Sequence, residues 1–497
     1  MQLLKYLFLQ FILFIIFLSS ITSLSFSNSQ NNLQEEIIRI TSDPLLQEAS
    51  LGIAIRDLKT GKIIAGYQEN KLFIPASVQK LITWGAALNT FGPDHQFATS
   101  IRYDTNAFLS DGILVGKLIL EGGGDPLFSV NDLAQMACQL HEKGVRKIQG
   151  DVVIDTNLYS DNPWGEGWLW DDMPYSYNSP ISALAINENK ITVKITPGHQ
   201  IGATASINLP FTDTPFTIDN KIVTSNTDTT FTNISYSPHK STVIFTGKIQ
   251  QDSAPIEEEL SIINPELFAK NIFLHLLAIK NIIVTEQTET PFSITSNTIP
   301  ELDNKLNSPV MISHISPPLI VIGKRMLHES NNFLADMLLK NIGAKCSGKG
   351  SFAGGTASVR AFLSQLGIPE NGYNIVDGSG LSRYNLISPS LITYYLTALH
   401  ATPLHTHFIS LLPQLGQGTL TDRLNNNSIS VWAKTGSMSS ISTIAGYLGK
   451  NNAPIFSFAI FINNSLQSTG TLKKIEDEII KKLSAILIGN NLVTDRR

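Results

Sequence analysis

Cysteine is nearly absent from this chain: two residues, Cys138 and Cys346, in 497. Two thiols so far apart in sequence form no ligand cluster and fix no disulfide framework. Both read as buried small side chains, with a disulfide between them the minor alternative. Charge is sparse as well. Asp, Glu, Lys and Arg make up 15% of the residues and the net charge is -5, with no run of basic residues, so nucleic acid is not an expected partner. The ten histidines are scattered, apart from His400, His405 and His407 around Pro403, where a surface loop is a simpler reading than a metal site. Two glycine clusters, Gly122-Gly123-Gly124 and Gly354-Gly355, lack the following Lys-Ser/Thr of a phosphate loop. The second pair reads as a tight loop before a helix at Thr356. No repeat or low-complexity tract is evident, and no cofactor is expected.

Long hydrophobic runs are also missing, with one exception at the N-terminus. Lys5 precedes an almost wholly apolar stretch from Tyr6 to Leu18, followed by a Ser/Thr-rich segment to Ser29. The run is shorter than the roughly 20 residues a membrane span prefers. Residues 1–28 therefore read as a secretory signal peptide, with small residues placing cleavage after Ser25 or Ser27. No cysteine follows the run, which argues against a lipoprotein. Membrane contact is then limited to this segment before its removal, and the mature chain is expected in the periplasmic or cell-wall compartment.

What the chain does contain is Ser77-Val78-Gln79-Lys80, which puts a hydroxyl and an amine one helical turn apart. Pro75 suits the opening of a helix, and a serine there meets free backbone N–H groups. A serine needs an adjacent base, and a desolvated lysine can serve as one. Alone, the tetrad is weak evidence and reads more simply as a capping serine and a solvated lysine. Two further segments change its weight. Ser330-Asn331-Asn332 precedes an apolar stripe of Phe333, Leu334, Met337 and Leu338, which predicts a helix; alone, Ser330 would be its N-cap. Lys434-Thr435-Gly436 ends a strand in which Val431 and Ala433 alternate with Trp432, and Gly436 allows close approach of backbone or substrate. In this order the three motifs supply a nucleophile (Ser77), a base (Lys80), a proton relay (Ser330), an amide contact (Asn332) and a cationic anchor for a carboxylate (Lys434). The chemistry expected is acyl transfer through serine.

These motifs, with Glu121-Gly122-Gly123-Gly124-Asp125-Pro126, Trp170-Asp171-Asp172-Met173, Tyr177 to Leu184, Asn187-Glu188-Asn189 and Asp377-Gly378-Ser379-Gly380-Leu381-Ser382-Arg383, give the chain a family likeness. It resembles the class C low-molecular-weight penicillin-binding proteins of the penicillin-binding protein 4 type, D-Ala-D-Ala carboxypeptidases/endopeptidases. The likeness runs from about Leu51 to about Asn463. It implies that Ser77 is acylated and that Thr435 joins Lys434 in gripping the substrate carboxylate. It also implies an oxyanion hole from the backbone N–H groups of Ser77 and Ser437, and an Asp172 that meets the amino group of the peptide stem. The family often has Glu where this chain has Asp336, and Ser437-Met438 follow the third motif; neither departure touches a catalytic atom. Peptidoglycan stem peptides are the implied substrates and β-lactams the implied covalent inhibitors. A β-lactamase or esterase would share the chemistry, and an idle wall-binding protein would share the fold; the length and the intact motifs favour neither.

About 250 positions separate Lys80 from Ser330, which implies a module inserted into the catalytic fold. The expected fold is an α/β serine transpeptidase/β-lactamase-like catalytic domain, residues 29–98 and 306–497, interrupted by a module at 99–305. Within the module, 190–260 is rich in Thr, Ile, Val and Ser and reads as a β-rich subdomain. Helices are expected at Asn131–Lys143, Pro265–Lys280 and Thr471–Ile486, and strands at Ser442–Leu448 and Ile455–Ile462.

Overall fold

The computed structural model describes residues 32–211, 214–227, 229–285, 309–424 and 429–489. The expected signal segment and its cleavage positions lie outside them. At the centre is an antiparallel sheet of five strands: β1 (Ser50–Asp57), β2 (Ile63–Tyr67), β3 (Ser430–Met438), β4 (Ile441–Lys450) and β5 (Ala453–Asn463). Their order is β3-β4-β5-β1-β2, so the first strand of the chain lies beside the last, with Ser50 opposite Asn463.

Alternation along these strands sorts their side chains onto two buried faces. Trp432, Ala445, Tyr447, Ala459 and Phe461 point to one core, whereas Val431, Ala433, Ile444, Phe458 and Ile460 point to the other. The helices α1 (Lys80–Phe91), α2 (Asn332–Ser347), α3 (Phe352–Gln365) and α4 (Pro389–His400) build the first core. The helix at 32–41 and α5 (Thr469–Gly489) cover the second through Leu33, Ile37, Leu472, Ile479 and Leu483. Every residue of α1 from Lys80 to Leu88 is buried, as is α2 from Phe333 to Gly343. Helices buried around their whole circumference belong in a protein's interior, and here that interior also encloses Lys80, Asp336 and Lys340.

The chain leaves this body after Phe97 and rejoins it at Ser316. Those two residues are tied by Phe97 N–H to Ser316 Oγ at 2.8 Å and Ser316 N–H to Phe97 O at 2.8 Å. Ala98–Tyr103 pairs with Val310–Ile315, so a strand from beyond residue 305 shares the first sheet of the excursion. Between residues 190 and 261 lie two three-stranded sheets, one containing Lys190–Thr196 and the other Thr242–Gln250. Helices Val130–Glu142 and Pro265–Ile279 pack Leu133, Met136 and Leu140 with Phe268, Ile272 and Phe273 in a core of their own.

Several local expectations are corrected. Gly354 and Gly355 lie inside α3, not in a loop before it: a methyl group on Gly355 would stand 2.3 Å from Leu339 O, so glycine here lets α3 approach α2. The cysteines are unpaired and not buried. Cys138 projects from the partly exposed side of its helix, opposite Leu133 and Leu140, and Cys346 is exposed in the last turn of α2. Around Pro403 there is helix on both sides, α4 ending at His400 and a short helix His405–Ser410, with His400 Nδ1 and His405 Nε2 2.9 Å apart. Finally, the cap of α2 is Asn331, whose side chain accepts from Leu334 N–H at 3.0 Å, which leaves Ser330 free of that duty.

Candidate active site

Ser77 sits in a 3-10 turn, Ala76–Gln79, that feeds directly into α1 at Lys80. The turn is held open in an unfavourable shape: Ala76 has φ 46°, a left-handed value that costs a non-glycine residue about 1–3 kcal/mol. Lys80 Nζ lies 2.8 Å from Ser77 Oγ, 2.7 Å from Asn332 Oδ1 and 2.8 Å from Ser379 O. Lys80 is completely buried, and this desolvation brings its amine down to about 7, against the opposing pull of Asp336 and Asp377. A lysine in that range is partly neutral at physiological pH and able to accept a proton.

The second motif is arranged around α2. Ser330 precedes the helix with φ 59°, a second left-handed residue at the site. Its Oγ lies 2.8 Å from Lys434 Nζ. Asn332 is already committed on both ends of its amide, accepting from Lys80 and donating to Tyr177 O at 3.1 Å.

The third motif runs along edge strand β3. Lys434 is fully buried, its Nζ donating to Ser330 Oγ at 2.8 Å and to Thr435 O at 2.7 Å. Burial, with Lys80 and Lys473 nearby, holds its amine well below the ordinary lysine range. Among the described residues neither amine is paired with a carboxylate, so a carboxylate brought beside Lys434 would favour its charged form. Thr435 Oγ1 donates to Thr419 Oγ1 at 2.8 Å. Gly436 closes onto the Ser77 backbone: a methyl group there would lie 2.7 Å from Ser77 N and 2.4 Å from Thr443 Oγ1. Ser437, the next residue, is exposed.

The structure thus brings Ser77, Lys80, Ser330, Asn332, Lys434 and Gly436 into one connected site. Asp172 stands apart from the amines, at the rim, where its Oδ1 accepts from Tyr177 hydroxyl at 2.7 Å; Tyr177 links it to Asn332. Burial, the Asp172 hydrogen bond and its charge push the Tyr177 phenol up, so it stays a donor. Roles for Ser379, Tyr177 and Glu188 were not assigned from the sequence. Glu188 Oε2 accepts from Asn331 Nδ2 at 2.7 Å, and Arg325 pairs with its other oxygen. The only sequence signal for these residues is their place in the quoted family segments, since backbone carbonyls and cap supports leave no periodicity.

Residues 33–486 match the D-Ala-D-Ala carboxypeptidase 3 (S13) family. A D-alanyl-D-alanine carboxypeptidase of Actinomadura sp. (strain R39) is 29% identical over 468 residues, covering 91% of this chain and 84% of the relative. The crystal structure of penicillin binding protein 4 from Haemophilus influenzae superposes with a TM-score of 0.77 at 24% identity, covering 90% of this chain and 99% of that one. The same protein complexed with a β-lactam gives a TM-score of 0.73 at 23% identity, with the same coverages. At these identities the structural likeness is one of fold, a mixed α/β fold shared with the Haemophilus influenzae protein.

Proposed function

The chain belongs to the D-Ala-D-Ala carboxypeptidase 3 (S13) family, and we propose that the Ser77–Lys80 pair carries the family's reaction in it. It is a serine-type D-Ala-D-Ala carboxypeptidase acting on peptidoglycan stem peptides, of a class that also includes endopeptidases. The observation that supports our placing of the chemistry is the 2.8 Å contact between Ser77 Oγ and the buried, desolvated Lys80 Nζ.

In this reading the substrate's terminal carboxylate enters beside Lys434 and Thr435, where the buried amine gains the opposite charge it lacks. Lys80 takes the Ser77 proton, and Oγ attacks the carbonyl of the penultimate D-alanine. The N–H groups of Ser77 and Ser437 face the developing oxyanion, and fixed donors of this kind are worth about 10²–10³ each in rate. Ser330, bonded to Lys434, relays a proton to the departing amine. D-alanine leaves, or a cross-bridge amine in the endopeptidase reaction, and water then releases the acyl-enzyme. Asn332 orients Lys80 and its substrate amide contact forms by exchange with Tyr177 O; Asp172 at the rim meets the stem's amino group. Residues 29–98 and 306–497 form the catalytic part and 99–305 the inserted module, with the pairing of Val310–Ile315 extending that module's sheet. Among the described residues no helix is long and apolar enough to cross a membrane, and we place the mature protein in the periplasmic or cell-wall compartment after loss of residues 1–28.

Incubation with a stem pentapeptide should release free D-alanine, and a fluorescent penicillin should label the protein covalently. Ser77→Ala should abolish both. Persistent labelling of that variant removes Ser77 from its role.

A further inference from the structure

Asp336 stands one turn after Asn332 on the same side of α2 and is wholly buried. Its Oδ1 accepts from the backbone N–H groups of Gly378 at 2.7 Å and Ser379 at 3.2 Å. The residue so held presents its own carbonyl, Ser379 O, to Lys80 Nζ at 2.8 Å. On the other side Thr83 Oγ1 donates to Gly378 O at 2.6 Å, which fixes the same peptide from α1. A single residue therefore joins the buried carboxyl to the base.

The three contacts of Lys80 suit both of its protonation states. As an ammonium it donates to Asn332 Oδ1, Ser379 O and Ser77 Oγ; as a neutral amine it keeps two N–H bonds for Asn332 Oδ1 and Ser379 O, which only accept, and turns its lone pair to the Ser77 hydroxyl. When the Ser77 O–H breaks and an N–H forms on Lys80, the O–H electron pair goes into the new bond from Oγ to the substrate carbonyl carbon. An ammonium is left behind in a site from which water is excluded. The charged or titratable groups facing the pair are few. Lys434 on β3 repels it. Asp377 is engaged by four donors: Gly380 N–H and Asn385 Nδ2 on Oδ1, Ser382 N–H and Trp168 Nε1 on Oδ2. Lys340, the cation next along α2, is paired with Asp161 at 2.6 Å. Among the described residues, Asp336 Oδ2 takes no hydrogen bond of normal geometry.

We propose that Asp336 is a positioning residue for the base: it holds the Ser379 carbonyl on Lys80 Nζ and supplies the opposite charge for the ammonium formed when Ser77 gives up its proton. The inference rests on the acyl-transfer reading above and assigns the residue behind the base. Burial and the neighbouring Asp377 raise the Asp336 carboxyl, opposed by its hydrogen bonds from Ser379 and Gly378 and by the charge of Lys80. Burial lowers the Lys80 amine while the Asp336 charge raises it, so the two titrate as a linked pair and each feels the charge of the other.

The sign of the effect is fixed. A carboxylate beside Lys80 favours the ammonium, so removing it lets the amine lose its proton at lower pH, and labelling requires the free amine. In the full-length protein, the rate of covalent labelling by fluorescent penicillin should rise with pH through an acid limb near neutrality. Asp336→Asn should move that limb down by about one pH unit, and Asp336→Glu, which keeps the charge, should restore it toward the original position. Slower labelling with an unmoved limb would leave Asp336 a packing role and overturn the proposal. If Asp336→Asn does not fold, infrared difference spectra of the unaltered protein, free against penicillin-acylated, should show a change in the buried-carboxyl C=O band; a silent carboxyl region overturns it equally. Unaltered protein that takes up no penicillin at any pH would sink the acyl-transfer reading itself, and this inference with it.

Discussion

Gly436 is the residue through which strand and nucleophile meet. Its hydrogen occupies the place where any β-carbon would press on Thr443 Oγ1 at 2.4 Å and on the Ser77 amide at 2.7 Å, both closer than real Cβ contacts allow. Thr443 cannot swing away cheaply, because its hydroxyl donates to Pro75 O at 2.8 Å and so anchors the turn that carries Ser77. Gly436→Ala must therefore push β3 off the nucleophile and carry Lys434 and the Ser437 amide with it. We expect penicillin acylation to slow by about 10²–10³, the usual cost of one displaced oxyanion donor, with the folded protein still recovered. A stopped-flow labelling rate within threefold of the parent would show that β3 is not held by this contact. The two left-handed residues, Ala76 and Ser330, belong to the same argument. Non-glycine residues keep such backbone shapes only where surrounding structure over-determines them, and here Ala76 immediately precedes Ser77 while Ser330 itself contacts Lys434.

At the level of elements, the site depends on where α2 begins. Sequence periodicity located this helix and the alternation of β3, because burial of one face leaves a pattern in the residues themselves. It did not locate the cap. Ser330 and Asn331 are both good capping residues, and what selects Asn331 is a tertiary partner about 140 positions earlier, Glu188. That partner lies in a run of three left-handed residues, Asn187, Glu188 and Asn189, with φ of 51°, 60° and 51°. No helical or strand period describes such a run, although Glu188 is nearly buried and grips Asn331, Arg325 and, at 3.4 Å, Lys190. Glu188→Ala leaves the Asn331 amide and the Arg325 guanidinium without their partner at the start of α2. Labelling should fall by roughly tenfold, the loss of a hydrogen bond to a charged group, together with a lower melting temperature. Glu188→Gln keeps the acceptor for Asn331 and should fall between the two. Equal labelling by all three proteins would show that α2 is placed without the insert's help.

On the scale of the whole molecule, the gap between Lys80 and Ser330 implies an excursion of the chain, and Phe97 and Ser316 are joined by two hydrogen bonds of 2.8 Å. What the gap could not convey is how the excursion is sewn to the catalytic body, since such contacts join residues with no sequence relation. The seam is polar and partly buried. Tyr159 hydroxyl donates to Asn341 Oδ1 at 2.9 Å, Asn341 Nδ2 donates to Gly124 O at 2.8 Å, and Asp161 receives both Lys340 Nζ and Phe352 N–H at 2.6 Å. Lys340 is fully buried in the middle of α2, its ammonium 4.5 Å from the centre of the Phe352 ring. Without Asp161 that charge would keep only the Asn162 carbonyl at 2.9 Å and the two ring faces, with no opposite charge in contact. Removing one partner of a buried pair typically costs about 3–5 kcal/mol; because Asp161 keeps 29% of its side chain exposed, Asp161→Asn should cost roughly 2–4 kcal/mol. Replacing both partners should be far milder, since a methionine fills the Lys340 channel without a charge to desolvate. The double variant Lys340→Met/Asp161→Asn is therefore expected to regain most of the stability that Asp161→Asn loses in thermal or urea unfolding. If the double variant is less stable than the single one, Lys340 contributes through its aromatic contacts with Phe352 and Tyr159, and the ion pair is not what joins the insert to α2.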